Sequence, residues 1–186
     1  MNVRANGRGA NALKEEISFT LSEATTASAG RVYDLLADLQ SHLIWGGERQ
    51  KKNFRLLTME APEGPAAVGT EFHSIGADPA GRFANRSVVT EATRPRIFEF
   101  VTEAILEMKR GKRPEWTVVT RYEISPDPKG SKVTCTSRVT RVSELPGMMG
   151  LFRVPVLKTI ALKASASYAR KGLRNLARMA EEGGGR

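Results

Sequence analysis

The chain has 186 residues, of which 40% are hydrophobic, and this length suits one domain with a substantial core. Its formal net charge is +9, but the basic clusters at 49–52 and 109–113 are not interleaved with aromatic side chains that could stack on bases. Composition therefore argues against a specific nucleic-acid site and leaves open a weak contact with anionic membranes.

The single cysteine, Cys135, excludes an internal disulfide and a multi-cysteine metal site, and we interpret it as a buried free thiol. The N-terminus has no apolar signal-peptide core, and residues 148–162 are too short and too charged to span a bilayer. We therefore predict a cytoplasmic protein. The sequence has no GxxxxGK[ST] and no HExxH motif, so we expect no metal and no cofactor.

Residues 1–14 lack periodicity and are predicted to be a disordered arm, and residues 183–186 a flexible tail. Residues 15–182 are predicted to form one domain. Its first strand is predicted at 16–23, where apolar and polar residues alternate. A helix follows from about residue 28, with Thr26 or Ser28 as its N-cap, because one helical face collects Val32, Leu35, Leu36 and Leu39.

The segment SHLIWGG, residues 41–47, is predicted to form a second short turn. We expect His42 to lie on the surface and Trp45 to be an apolar anchor. The two glycines would lead into the first strand of an antiparallel meander.

Short strands separated by turn residues continue from residue 52 to residue 142 and bring the predicted total to six or seven. The clearest strand, 114–125, places Trp116, Val118, Thr120, Tyr122 and Ile124 on one face. Its partner follows the turn PDPKG.

A long helix is predicted from the region of Pro155 to about Ala180. Its apolar stripe consists of Leu162, Ala166, Ala169, Leu173, Leu176 and Ala180. Small residues on this helix, such as Ala161 and Ala164, either leave space for a ligand or allow close packing. The pattern as a whole predicts an α+β fold in which the helix covers a curved antiparallel sheet.

The chain resembles the START-like, or SRPBCC, superfamily, and within it the polyketide cyclase/dehydrase-like proteins. The resemblance is carried by residues 27–45, 63–72, 91–100 and 172–182, with Ser28 where the family often has proline. It implies a helix-grip fold, in which the sheet wraps around the long helix and encloses a cavity for a lipid, polyketide or isoprenoid. It does not imply a single activity.

Strand phase and the resemblance together suggest a set of cavity residues, although ordinary core packing explains each one singly. The set is Trp45, Phe72, Phe98, Phe100, Thr102, Trp116, Val118, Thr120, Tyr122, Ser137, Ala161, Ala164 and Tyr168. His73 would join it only if its strand were offset by one residue. Glu99 and Glu103 fall on the opposite face and are expected to be solvated.

The leading hypothesis is therefore a protein that binds a hydrophobic small molecule between the sheet and the C-terminal helix. Neither His42 nor His73 lies in a triad-like motif, so we assign no catalytic residue. A polyketide cyclase or aromatase that uses the same cavity remains an alternative. An adaptor that binds membranes or proteins through the basic clusters and residues 148–157 is a second alternative.

Overall fold

The computed structural model describes residues 17–48, 55–77, 81–108, 113, 115–142 and 155–183, and in the last range the side chains from Ala166 onward. The chain begins with strand β1 (Ile17–Thr25), helix α1 (Ala29–Ala37), a 3₁₀ turn (Leu39–Ser41) and a π-helical turn (Ile44–Glu48). Six strands and a helix follow: β2 (Arg55–Glu60), β3 (Glu71–Ala77), β4 (Gly81–Thr93), β5 (Ile97–Met108), β6 (Glu115–Asp127), β7 (Gly130–Val142) and α2 (Pro155–Glu182). The predicted arm and most of both basic clusters lie outside the described residues.

The seven strands form one antiparallel sheet in the order β1-β7-β6-β5-β4-β3-β2. Strands β2 to β7 pair with their neighbours along the chain, and β1 adds to the free side of β7. This sheet, with α2 and the short helices after β1, confirms the predicted α+β architecture. Strands β4 to β7 have 12 or 13 residues, and β6 agrees with the predicted 114–125 to within two residues at each end. Polar residues such as Asn85 and Arg86 continue β4 because both neighbouring strands pair with it.

Alternation along β5 separates the two faces of the sheet as predicted. Phe98, Ala104 and Leu106 are buried on the inner face. Glu103 is exposed on the outer face, but Glu99 is not simply solvated, because its side chain is only 20% exposed. Its carboxylate accepts a hydrogen bond from Arg121 at 3.1 Å, and Arg121 also binds two other outer-face carboxylates.

Helix α1 begins at the predicted cap. The Ser28 hydroxyl accepts a hydrogen bond from the Arg31 amide at 3.3 Å, which satisfies one of the free N–H groups of the first turn. The predicted apolar face is buried, with Val32 and Leu36 fully inaccessible to solvent.

Helix α2 packs its C-terminal half into the core. Leu173, Leu176 and Ala180 of the predicted stripe are buried there, together with β1 and α1 residues. At the end of β1, the Thr25 hydroxyl lies 3.2 Å from the Ala177 carbonyl oxygen and 3.0 Å from the Glu181 carboxylate. These polar contacts fix the last turns of α2 against the junction between β1 and α1.

Candidate ligand cavity

A cavity of about 410 Å³ lies between the inner face of the sheet, α2 and the segment that follows α1. It falls within the range of small-molecule sites, which is roughly 300–1,000 Å³. Ten predicted cavity residues line it: Trp45, Phe72, Phe100, Thr102, Trp116, Val118, Thr120, Tyr122, Ser137 and Tyr168. Strands β3 to β7 supply most of the wall, and α2 covers it with Tyr168, Ala169, Gly172 and Leu173.

Of the other three predicted residues, the structure describes the side chain of Phe98 alone and places it in the core. Phe98 is fully buried outside the cavity wall, with its ring 6.1 Å from that of Tyr33 in an edge-to-face contact. Phe98 lies where α1 crosses the sheet. It is therefore packed in the hydrophobic core, although it lies on the same face of the sheet as Phe100. The side chains of Ala161 and Ala164 lie outside the described residues.

Aromatic rings form the apolar part of the wall. Phe72 and Phe100 meet edge to face at 5.4 Å, and Phe83 and Trp116 at 5.7 Å. Phe100 also lies 6.4 Å from Tyr122. Such rings offer a ligand a large contact area at a small cost in side-chain entropy.

A polar row crosses the same inner face. The Ser87 and Thr102 hydroxyls are 2.9 Å apart, and the Asn85 amide donates to the Ser74 hydroxyl at 3.2 Å. Ser74, Asn85 and Ser87 are not among the cavity residues predicted from the sequence. The available signal was their phase, since Ser74 follows Phe72 by two residues and Ser87 precedes the buried Val89 by two.

His42 is buried, which contradicts the prediction of a surface residue. It is only 3% exposed, and its Nε2–H donates to the Leu36 carbonyl oxygen at 2.9 Å. The reason lies at the end of α1, where helix carbonyls lack partners within the helix. Ser41 binds the Leu35 carbonyl and the Ala66 amide binds that of Ala37, so the turn that follows α1 must face inward.

The buried titratable groups of the wall are held in their neutral forms. Burial lowers the pKa of His42 to about 4, against the opposing effects of the Leu36 bond and the Asp38 charge. Burial raises the pKa of Cys135 to about 12 and that of Tyr122 well above its ordinary value. Cys135 is therefore the buried free thiol that the sequence predicted.

A larger groove of about 700 Å³ crosses the outer face of the sheet, and His73 lies exposed in it rather than in the cavity. Its charged side chains pair across strands: the Arg86 guanidinium is 3.0 Å from Glu71 and 3.7 Å from Glu103. These are ion pairs in water, with little effect on stability or binding. The inner cavity, whose described wall is largely apolar and contains no Asp, Glu, Lys or Arg, is the better candidate site.

Among the described residues, no three His, Cys, Asp or Glu side chains are grouped so that they could hold a metal ion. No helix in the described ranges is long and apolar enough to cross a membrane.

The fold and the cavity define a helix-grip protein, in which a curved sheet and one long helix enclose a binding space. A family model described as "Polyketide cyclase / dehydrase and lipid transport" matches residues 16–181, and the chain belongs to this family. The resemblance to the START-like superfamily is thereby confirmed. No curated protein matches the sequence significantly.

Solved structures show the same fold at low identity. An uncharacterised protein from Rhizobium leguminosarum has a TM-score of 0.65 at 15% identity, with 90% of this chain and 96% of that chain covered. A protein from Chromobacterium violaceum gives 0.61 at 13% identity, with coverages of 89% and 97%. A Rhizobium loti protein gives 0.60 at 16% identity, with coverages of 88% and 96%. At such identities the likeness shows the fold alone.

Proposed function

We propose that the protein binds an uncharged hydrophobic small molecule, of lipid, polyketide or isoprenoid type, in the inner cavity. One observation carries this proposal: the part of the wall formed by described residues contains aromatic and neutral polar side chains and no Asp, Glu, Lys or Arg. A charged ligand group would lose its hydration there without gaining an ion pair. The family description, which includes lipid transport, supports the same class of ligand.

Burial of apolar surface supplies the driving force. A ligand that hides about 250 Å² of apolar surface gains about 6 kcal/mol, of which association consumes a part. Because a binding free energy of about 6 kcal/mol corresponds to a Kd of about 40 μM, we expect simple aromatic probes to bind more weakly than this, with Kd values that extend into the millimolar range. The natural ligand gains further from polar groups that match the wall.

A pair of adjacent residues on β6 allows a matched test. Val118 faces the cavity, whereas Val119 faces outward. We expect Val118→Phe to weaken binding of the neutral fluorescent probe N-phenyl-1-naphthylamine about tenfold by filling the cavity, with Val119→Phe as the unaffected control. Native mass spectrometry and solvent extraction of the purified protein would identify a retained ligand. Absence of saturable probe binding, or equal loss in both variants, would contradict the proposal.

An enzyme that uses the same cavity is the second candidate, and the hydrogen-bonded pairs Ser87–Thr102 and Asn85–Ser74 favour it. A cyclase mainly has to position a reactive chain and exclude water, which such hydroxyls and amides can assist. Ser87→Ala and Thr102→Val should then abolish cyclisation of a poly-β-ketone thioester while the fluorescent probe still binds. Loss of probe binding in parallel would point to a purely structural role.

The adaptor hypothesis is based on the basic clusters at 49–52 and 109–113 and on residues 148–157, and these segments lie almost entirely outside the described residues. Binding to anionic vesicles, lost at high salt, would support it. Location in the cytoplasm stays a prediction that suits the buried free thiol of Cys135.

A further inference from the structure

The indole nitrogen of Trp45 is a buried donor that has no acceptor among the residues that the structure describes. Trp45 is only 7% exposed, and among the described side chains its Nε1 is the one buried N or O atom without a hydrogen-bond partner. Native proteins rarely leave such groups unsatisfied, and the exceptions concentrate at functional sites. Trp45 belongs to the cavity wall, so a ligand is a natural source of the missing acceptor.

His42 adds an acceptor beside this donor. Its Nε2–H is committed to the Leu36 carbonyl, which accepts only, so the neutral ring carries its lone pair on Nδ1. Burial lowers the pKa of His42 to about 4, and the ring therefore stays neutral near pH 7. The ring centroids of His42 and Trp45 are 4.6 Å apart, and both residues line the cavity.

The segment that carries the two rings contacts α2 on one side and β2 on another. The Asn175 side-chain amide of α2 donates to the Trp45 backbone carbonyl at 3.0 Å. Trp45 lies in the π-helical turn, and turns of this kind are frequent at functional sites. A Cβ atom at Gly47 would lie 2.7 Å from the Leu56 carbonyl oxygen, so this glycine allows close approach to β2.

We propose that His42 and Trp45 form the polar anchor of the cavity and that the ligand is an uncharged ring compound with a hydroxyl group, such as a phenol or an enol. The ligand oxygen accepts a hydrogen bond from Trp45 Nε1–H, and the ligand hydroxyl donates to His42 Nδ1. A carbonyl group would satisfy only the indole. A carboxylate would face the imidazole lone pair with no cation in the described wall. The inference deepens the proposed binding function and rests on it.

Binding should also leave a local signal at Trp45. Its Nε1 is covered by neighbouring atoms, so the arriving oxygen has to displace them or shift the indole. The chain has two tryptophans, Trp45 and Trp116, and both line the cavity. The indole N–H resonances in an NMR spectrum are therefore two, and Trp45→Phe assigns them.

The probes 2-naphthol and 2-methylnaphthalene have the same shape and differ in one hydroxyl group. We expect the unmodified protein to bind 2-naphthol about fivefold more tightly by competition with N-phenyl-1-naphthylamine, and 2-naphthol to move the Trp45 indole N–H signal downfield. Trp45→Phe and His42→Gln should each abolish the preference, because each variant removes one of the two hydrogen bonds that the ligand hydroxyl forms and leaves that group only partly satisfied. Trp116→Phe makes the same indole-to-phenyl change elsewhere in the wall and should keep the preference.

The outcomes separate the anchor from the cavity function. Equal affinities for the two probes in the unmodified protein would overturn the anchor and leave the cavity function intact. A preference for 2-naphthol that survives in both Trp45→Phe and His42→Gln would also overturn the anchor and leave the cavity function intact. Failure of both probes to bind saturably would overturn both proposals. Thermal unfolding shows whether each variant is folded. If one of Trp45→Phe and His42→Gln does not fold, the comparison of the two probes in the other variant tests the anchor.

Discussion

His42 Nε2–H donates a hydrogen bond to the carbonyl oxygen of Leu36, six residues earlier in the chain. This bond closes the C-terminal end of α1 and turns the chain toward the cavity. It also ties the stability of the fold to the charge of one imidazole.

The first prediction concerns the loss of folding stability at acid pH. The pKa of His42 falls from 6.5 to about 4 on folding, so the unfolded chain takes up a proton at a pH where the folded chain does not. The stabilisation is complete above about pH 6.5 and is lost as the pH falls through 4, with a total of about 3 kcal/mol. Urea unfolding between pH 7.5 and 4 should show a steeper loss in the unmodified protein than in His42→Gln. The exposed His73→Gln variant should keep the steep loss, and equal slopes in all three would contradict the prediction.

The second prediction concerns the hairpin between β6 and β7. Gly130 has a φ of +150°, and a Cβ atom there would lie 2.6 Å from the carbonyl oxygens of Thr25 and Thr26. Gly130→Ala should therefore cost more than about 2 kcal/mol of unfolding free energy. Gly69 also has a positive φ, of +88°, but nothing lies within 4 Å of its added Cβ, so Gly69→Ala should cost only about 1 kcal/mol. Chemical denaturation of both variants compares the two costs.

The third prediction concerns the packing of α2. Leu176 is fully buried, and its replacement by alanine should cost about 2–5 kcal/mol and leave a cavity in the core. Leu57 is 38% exposed, and Leu57→Ala should cost less than about 1 kcal/mol. Thermal unfolding measures both. A small loss for Leu176→Ala would mean that α2 is not docked as described.

The fourth prediction concerns the hydroxyl pair Ser87–Thr102. Ser87→Ala leaves the Thr102 hydroxyl without its partner and should cost about 1–2 kcal/mol. Adding Thr102→Val removes the orphaned hydroxyl, so the double variant should recover part of this loss. A double-mutant cycle of unfolding free energies gives the coupling directly. Strict additivity would show that the two hydroxyls act independently.

Alternation within 114–125 was sufficient to predict which residues of β6 share the inner face. Phase alone could not predict depth: Phe98 and Phe100 share a face, yet Phe98 lies in the core near Tyr33 and Phe100 lines the cavity. Which of the two is covered depends on where α1 crosses the sheet. That position is set by packing between elements distant in sequence.

The burial of His42 could not be predicted from the sequence for a different reason. Helical periodicity stops after Leu39, and the reversal that follows uses side-chain hydrogen bonds rather than a glycine cap. An apolar pattern indicates the buried face of a helix or strand, but it does not indicate which side chain will form a hydrogen bond with a particular carbonyl group. The polar residues Ser74, Asn85 and Ser87 were missed for a third reason, because β3 and β4 have few apolar residues in the inward phase and their alternation does not single out one face.

Helix α2 packs into the core toward its C-terminal end and covers the cavity farther toward its N-terminal end. Its last turns are fixed by Leu176 and by the contacts of Thr25, whereas Tyr168 covers the cavity about 12 Å away along the helix axis. A tilt of about 10° around the fixed end would move Tyr168 by about 2 Å. Such a tilt would widen the binding space for a bulkier ligand without opening the packed core.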